Sequence, residues 1–151
     1  MDVTPMHVFR LFIPLLFGLS ALAAAGPAAT AEQAGEGSIR LELNALEPDD
    51  NGCLVTFVVE NGFDTAFDEI SYEMVLFDGD GLVERMVALD FSPLTPAKTR
   101  VRQFGLDGID CSGLSRILIN DAAACRSEDL AASTCIDALE TSTRTRVEFG
   151  I

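Results

Sequence analysis

The chain has no tryptophan and one each of tyrosine, lysine and histidine among 151 residues, and each shortage removes a class of chemistry. The histidine, His7, lies in a segment that reads as a removable leader. Without it, neither a Ser-His-Asp nor a Cys-His nucleophilic arrangement can be built, and imidazole-based zinc sites are lost as well. The lysine, Lys98, follows Pro-Ala in a polar connection, where a solvated loop amine is the simplest reading. Positive charge is scarce overall: 10 Lys and Arg against 24 Asp and Glu give a net charge of −14. Such a charge repels phosphate backbones and anionic headgroups, so neither nucleic acid nor a membrane surface is an expected partner. There is no CxxC spacing, which argues against thioredoxin-like redox chemistry and paired zinc thiolates.

What is present begins with an address label. Met1–Arg10 carries one basic residue, Leu11–Ala25 is apolar, and Ala29-Thr30-Ala31 is a small-x-small cleavage pattern. This predicts a Sec-type signal peptide cleaved after Ala31. A membrane-spanning helix needs about 20 apolar residues; this run is shorter and is interrupted by Pro14 and Ser20. No cysteine sits near the cleavage pattern, so a lipid anchor is not expected. Cleavage removes Arg10 and Asp2, one charge of each sign, so the net charge stays at −14. The expected organisation is a signal peptide over 1–31, a flexible lead-in over 32–37 and one domain over 38–151. The product is expected in the periplasm or secreted, free of the membrane after cleavage.

Cys53, Cys111, Cys125 and Cys135 all follow the leader, and an even count in an exported domain implies disulfides. Three pairings are available. Cys53–Cys111 with Cys125–Cys135 is preferred, because the second pair closes a short local loop and leaves the first two to each other.

Hydrophobic periodicity supplies the fold class. Ile39, Leu41 and Leu43 alternate with Arg40, Glu42 and Asn44, predicting a half-buried strand over Ser38–Leu46. Glu47–Gly52 is a turn by composition, with Asn51-Gly52 supplying positive φ. Cys53–Glu60 is β-branched and aromatic, as a central strand requires, and Glu69–Asp78 becomes apolar on both faces toward its end. Asp78-Gly79-Asp80-Gly81 predicts a hairpin turn into Leu82–Phe91, whose Arg85 interrupts the apolar face and suits a sheet edge. Further strands are expected at Thr99–Leu106, with a bulge near Gln103, at Leu114–Asn120 and at Thr143–Phe149. Between Cys125 and Cys135 the pattern turns helical, with Ser127 as N-cap and Leu130, Ala131, Cys135, Ala138 and Leu139 at helical spacing. The sum is an all-β, antiparallel two-sheet sandwich of Ig-like kind, with about seven strands and one short helix near the C-terminus.

Several constellations invite a chemical reading. Asp78 and Asp80, with Asp49, Asp50 or Asn51 from another turn, could offer calcium hard oxygen ligands. Leu82 occupies the next ligand position of such a loop and the closing glutamate is missing, so a tight Asp-Gly hairpin is preferred and no metal or other cofactor is assigned. Carboxylate pairs for glycosidase-like work abound, but none is marked as converging. Tyr72 reads as core, its hydroxyl seeking a partner at the rim. Arg100 and Arg102 share a strand face, and Arg144 with Arg146 repeats the spacing. Those four would form a small basic stripe if the strands are neighbours, but cross-strand pairing with carboxylates is the simpler account.

The segments VTFVVENG (Val55–Gly62), MVLFDGDGLV (Met74–Val83), SPLTPAKT (Ser92–Thr99) and the C…RILIND…C…C tail resemble a group of small exported alphaproteobacterial proteins. These carry the label "Tat pathway signal sequence domain protein". The resemblance spans nearly the whole chain after the leader and implies export without an attached activity. Only Arg10 precedes the apolar run, whereas a twin-arginine signal needs a pair, so Sec export is preferred. Val55–Leu106 also resembles FxLYD-type Ig-like modules. The functional expectation is a non-enzymatic binding or accessory module of the periplasm with an unidentified protein partner. The rivals are an acidic calcium-binding module and a small hydrolase using carboxylates alone.

Overall fold

The alternation of Ile39, Leu41 and Leu43 with polar neighbours makes β1 (Ile39–Pro48), and those three side chains are fully buried. The computed structural model describes residues 37–151, so the expected signal peptide and nearly all of the lead-in lie outside the described residues. β1 turns into β2 (Gly52–Asn61) through Asp49, whose Oδ1 accepts the N–H groups of Asn51 and Gly52. β3 (Phe67–Asp78) and β4 (Val83–Asp90) form the next hairpin. β5 (Lys98–Asp107), β6 (Leu114–Ser127), the short helix α1 (Thr134–Asp137), β7 (Leu139–Thr143) and β8 (Glu148–Gly150) complete the chain.

The strands build two four-stranded sheets, β5-β2-β1-β7 (sheet A) and β4-β3-β6-β8 (sheet B). The expected all-β sandwich with one short helix near the C-terminus is what forms. Both sheets are mixed rather than purely antiparallel, because β7 runs parallel to β1 and β8 parallel to β6. Aromatic rings fill the space between the sheets. Phe57 meets Phe91 and Phe149 at 5.5 Å, Phe91 meets Phe104 at 5.2 Å, and Tyr72 meets Phe91 at 5.8 Å. Edge-on contacts of this kind add about 0.5–1.5 kcal/mol each beyond area burial. Among the described residues, no helix is long and apolar enough to cross a membrane.

Five local expectations are corrected. The predicted final strand over Thr143–Phe149 is two strands, because the chain passes from sheet A to sheet B at residues 144–147; this makes eight strands instead of seven. The helix begins at Thr134, and Ser127 is not its cap: β6 runs on to Ser127, paired with Phe67, so ladder hydrogen bonds claim those residues first. Strand β6 outlasts the predicted Asn120 because Asn120 and Ala123 are extra residues in its register with β3, which keeps its apolar positions facing inward. No bulge interrupts β5 near Gln103. Its register with β2 is continuous from Lys98 to Asp107, and Val101 simply faces outward. Finally, positive φ in the turns belongs to Gly81, Gly108 and Ala97, not Gly52. A Cβ on Gly52 would sit 2.8 Å from the Gly108 nitrogen and against the Leu106 carbonyl, so close approach is what requires glycine there.

Candidate functional site

The structure pairs Cys53 with Cys111 (Cα–Cα 5.0 Å) and Cys125 with Cys135 (6.0 Å). The first ties the start of β2 to the loop before β6, and the second holds α1 against β6. Neither leaves a thiol for chemistry.

The acidic turns are occupied with holding themselves. Asp78 Oδ1 accepts the N–H groups of Asp80 (2.9 Å) and Leu82 (2.8 Å), closing the β3–β4 hairpin as Asp49 closes the β1–β2 turn. Asp110 does the same for Ser112, whose hydroxyl and N–H hold its carboxyl below the usual range. Among the described residues no three Asp, Glu, His or Cys side chains are grouped to hold a metal, so Asp78 and Asp80 are not joined by Asp49 or Asp50.

The arginines do not form a stripe. Arg100 and Arg102 lie on β5 at one edge of sheet A, whereas Arg144 and Arg146 follow β7 at the opposite edge. Arg144 pairs with Glu42 at 2.9 Å; together with Asn44, whose hydrogen bond is the larger cause, it lowers the Glu42 pKa. Arg146 donates to the carbonyls of Cys111 and Ser112, and Arg102 to that of Ser92. Tyr72 is fully buried and its hydroxyl donates to the Cys135 carbonyl at 2.9 Å; burial pushes its pKa up. Lys98 is exposed at the start of β5.

The outer face of sheet B carries exposed apolar side chains at β4. Register places Met86, Val75 and Leu118 side by side on β4, β3 and β6, and Val83, Phe77 and Arg116 in the row beyond. Met86 is 53% exposed and Val83 57%, with Leu82 at 65% on the adjoining turn. Arg116 lies over the Phe77 ring at 5.6 Å. On the other side of the Met86 row stand Ala88, Glu73 and Asp121, then Asp90, Ser71 and Ala124. The small side chains there leave a shallow hollow of about 330 Å³ bordered by Glu69 and Asp90. The Asp90 carboxylate is held low by its hydrogen bonds from Ser92. One face thus has an apolar end and an acidic end. A second hollow of about 420 Å³, between Leu46, Pro48 and Val147, is bounded by Arg146, whose guanidinium is committed to backbone carbonyls.

The sequence pattern shows β3 becoming apolar on both faces at Val75 and Phe77, whereas the extension of that row by Met86 and Leu118 depends on strand register. The signal was there: a strand apolar on both faces needs cover on both.

No family model matches the chain, and no curated protein matches it. Among solved structures, the trimeric lipoprotein SadB of Salmonella enterica is similar over 53% of this chain and 46% of its own length, at 19% identity and a TM-score of 0.44. That likeness is too partial to carry an argument.

Proposed function

We propose that the chain is an exported, disulfide-crosslinked β-sandwich that works in the periplasm by binding a partner protein rather than by catalysis. The observation that carries this reading is the Met86–Val75–Leu118 row, apolar side chains set side by side on the outer face of sheet B. Val75 in the middle of the row is buried at 6% exposure and Leu118 is half-buried, so Met86, with Val83 and Leu82 beyond it, is what reaches solvent. Exposed apolar side chains gathered on one face mark interaction sites. Two disulfides suit an oxidising compartment, which agrees with the leader pattern of residues 1–31 and cleavage after Ala31. The absence of histidine from residues 32–151 supports a non-catalytic role.

The same reading places the chain with the exported alphaproteobacterial proteins it resembles. An Ig-like grouping is favoured by the pairing of β2 with β5 in one sheet and β3 with β6 in the other. The parallel placement of β8 beside β6 departs from that pattern.

A photo-crosslinking residue at position 86, expressed in the native cell, is expected to give a discrete adduct. The same residue at Val101, on the outer face of sheet A, is expected to give none. Equal yields at the two positions, or no adduct at either, would overturn the binding reading. Recovery of the native protein with residues 1–31 attached and four free thiols would overturn export.

A further inference from the structure

We infer that the outer face of sheet B receives a polypeptide segment that is both apolar and basic. Its aliphatic or aromatic side chains rest on exposed Met86 and half-buried Leu118, which flank the buried Val75, and its Lys or Arg lies over Glu73 and Asp121, one row along. The inference rests on the binding reading above and adds the chemistry of the partner.

Glu73 on β3 and Asp121 on β6 are register partners on the same face. Like charges directly opposite each other across a ladder destabilise it. Asn120 Nδ2 donates to Glu73 Oε1 at 2.6 Å, but among the described residues no Lys or Arg forms an ion pair with either carboxylate. A cation brought by a partner relieves that repulsion. Val75 is two residues from Glu73 on the same strand face, a separation of about 6.6–6.8 Å. A segment contacting Met86 or Leu118, in register with Val75, as well as the carboxylates therefore needs an apolar residue and a cation only one same-face step apart. A second copy of this chain is a poor occupant, because it brings its own net charge of −14 to an acidic face. The same charge speeds the approach of a basic segment.

The test uses residues 32–151 and a fluorescently labelled peptide in which two leucines and two lysines alternate with serine. Controls are its copy with Glu for each Lys and its copy with Ser for each Leu. Anisotropy at physiological salt is expected to show binding of the first that either change weakens by about tenfold or more, the loss of two ion pairs or of the apolar contact. The double variant E73K/D121K is expected to reverse the preference, taking the Glu peptide over the Lys peptide. M86D weakens the Lys peptide, and E47K/D50K, the same charge change at the β1–β2 turn, leaves it unaltered. Equal binding of the Lys and Glu peptides, or equal loss from E47K/D50K and E73K/D121K, overturns the inference. So does a concentration-dependent dimer abolished by M86D, since the face then belongs to a second copy. A position-86 adduct that survives any of these results leaves the binding reading standing, so the two failures are distinguishable.

Discussion

The hydroxyl of Tyr72, in the middle of β3, donates to the backbone carbonyl of Cys135 at 2.9 Å across 63 residues of sequence. Cys135 is itself bound to Cys125 on β6. The one tyrosine and one of the two disulfides therefore hold the same helical turn onto sheet B, one by a buried hydrogen bond and the other by a covalent tie.

Replacing Tyr72 by Phe is expected to cost about 1–3 kcal/mol, because the Cys135 carbonyl loses a buried donor. The pH dependence should change as well. Burial raises the folded-state pKa of the phenol above its ordinary 10.0. Its contribution is thus fully present below pH 10 and is lost as the unfolded state ionises above it. Short urea titrations between pH 8 and 11 are expected to show an alkaline decline in the wild type that is smaller in Tyr72→Phe.

The two disulfides should contribute unequally. Their sequence separations are 58 and 10. Loop-closure entropy assigns about 4 kcal/mol to the longer and about 3 kcal/mol to the shorter. Denaturant midpoints of the double variants Cys53→Ala/Cys111→Ala and Cys125→Ala/Cys135→Ala are expected to fall in that order. Retention of the wild-type midpoint by the first pair would contradict a stapling role for Cys53–Cys111.

Gly52→Ala is expected to destabilise by about 1–3 kcal/mol, the usual cost of forcing an atom into filled space. The added methyl would meet the Gly108 nitrogen at 2.8 Å. Gly79→Ala, where the nearest atom is 4.0 Å away, is the control and should change the melting temperature little.

In acid, the gap in stability between wild type and Glu42→Gln is expected to close. Hydrogen bonds from Asn44 and Arg144 hold the Glu42 pKa below its ordinary 4.5. A depressed carboxylate stabilises the fold above its unfolded pKa and ceases to as pH falls through the folded one. Melting curves of both proteins from pH 7 to pH 3 should therefore converge at the acid end. A constant difference would place the effect of Glu42 in packing instead of charge.

Much of this architecture is legible from local pattern. The β1 and β2 segments declare themselves by period-two alternation and β-branched content, and Asp78-Gly79 marks its hairpin, since those signals arise within a few residues. The edge position of β4 is likewise foreshadowed by Arg85, which breaks the apolar face and donates to the Asp107 carbonyl on the edge of the other sheet. What local pattern misread is where distant partners intervene. Helical spacing around Leu130 gave way upstream to the ladder that β3 offers to residues up to Ser127, because a strand partner satisfies backbone groups that the helix would have left to water. Asn61 carries no such local signal, yet it is fully buried and donates from Nδ2 to the carbonyls of Thr65 and Leu94, the second of them 33 residues away.

Sequence alone determined the amino-acid chemistry on offer: which nucleophiles and bases are missing, how negative the surface is, and how many sulfurs can pair. It also determined which segments extend, because the alternation of apolar and polar residues is a property of adjacent positions. Only the tertiary structure decided which strands became neighbours, that the last segment divides between the sheets, and that Met86, Val75 and Leu118 share a row beside Glu73 and Asp121. Those relations depend on register between strands far apart in the chain, where a shift of one residue would turn every side chain to the opposite face.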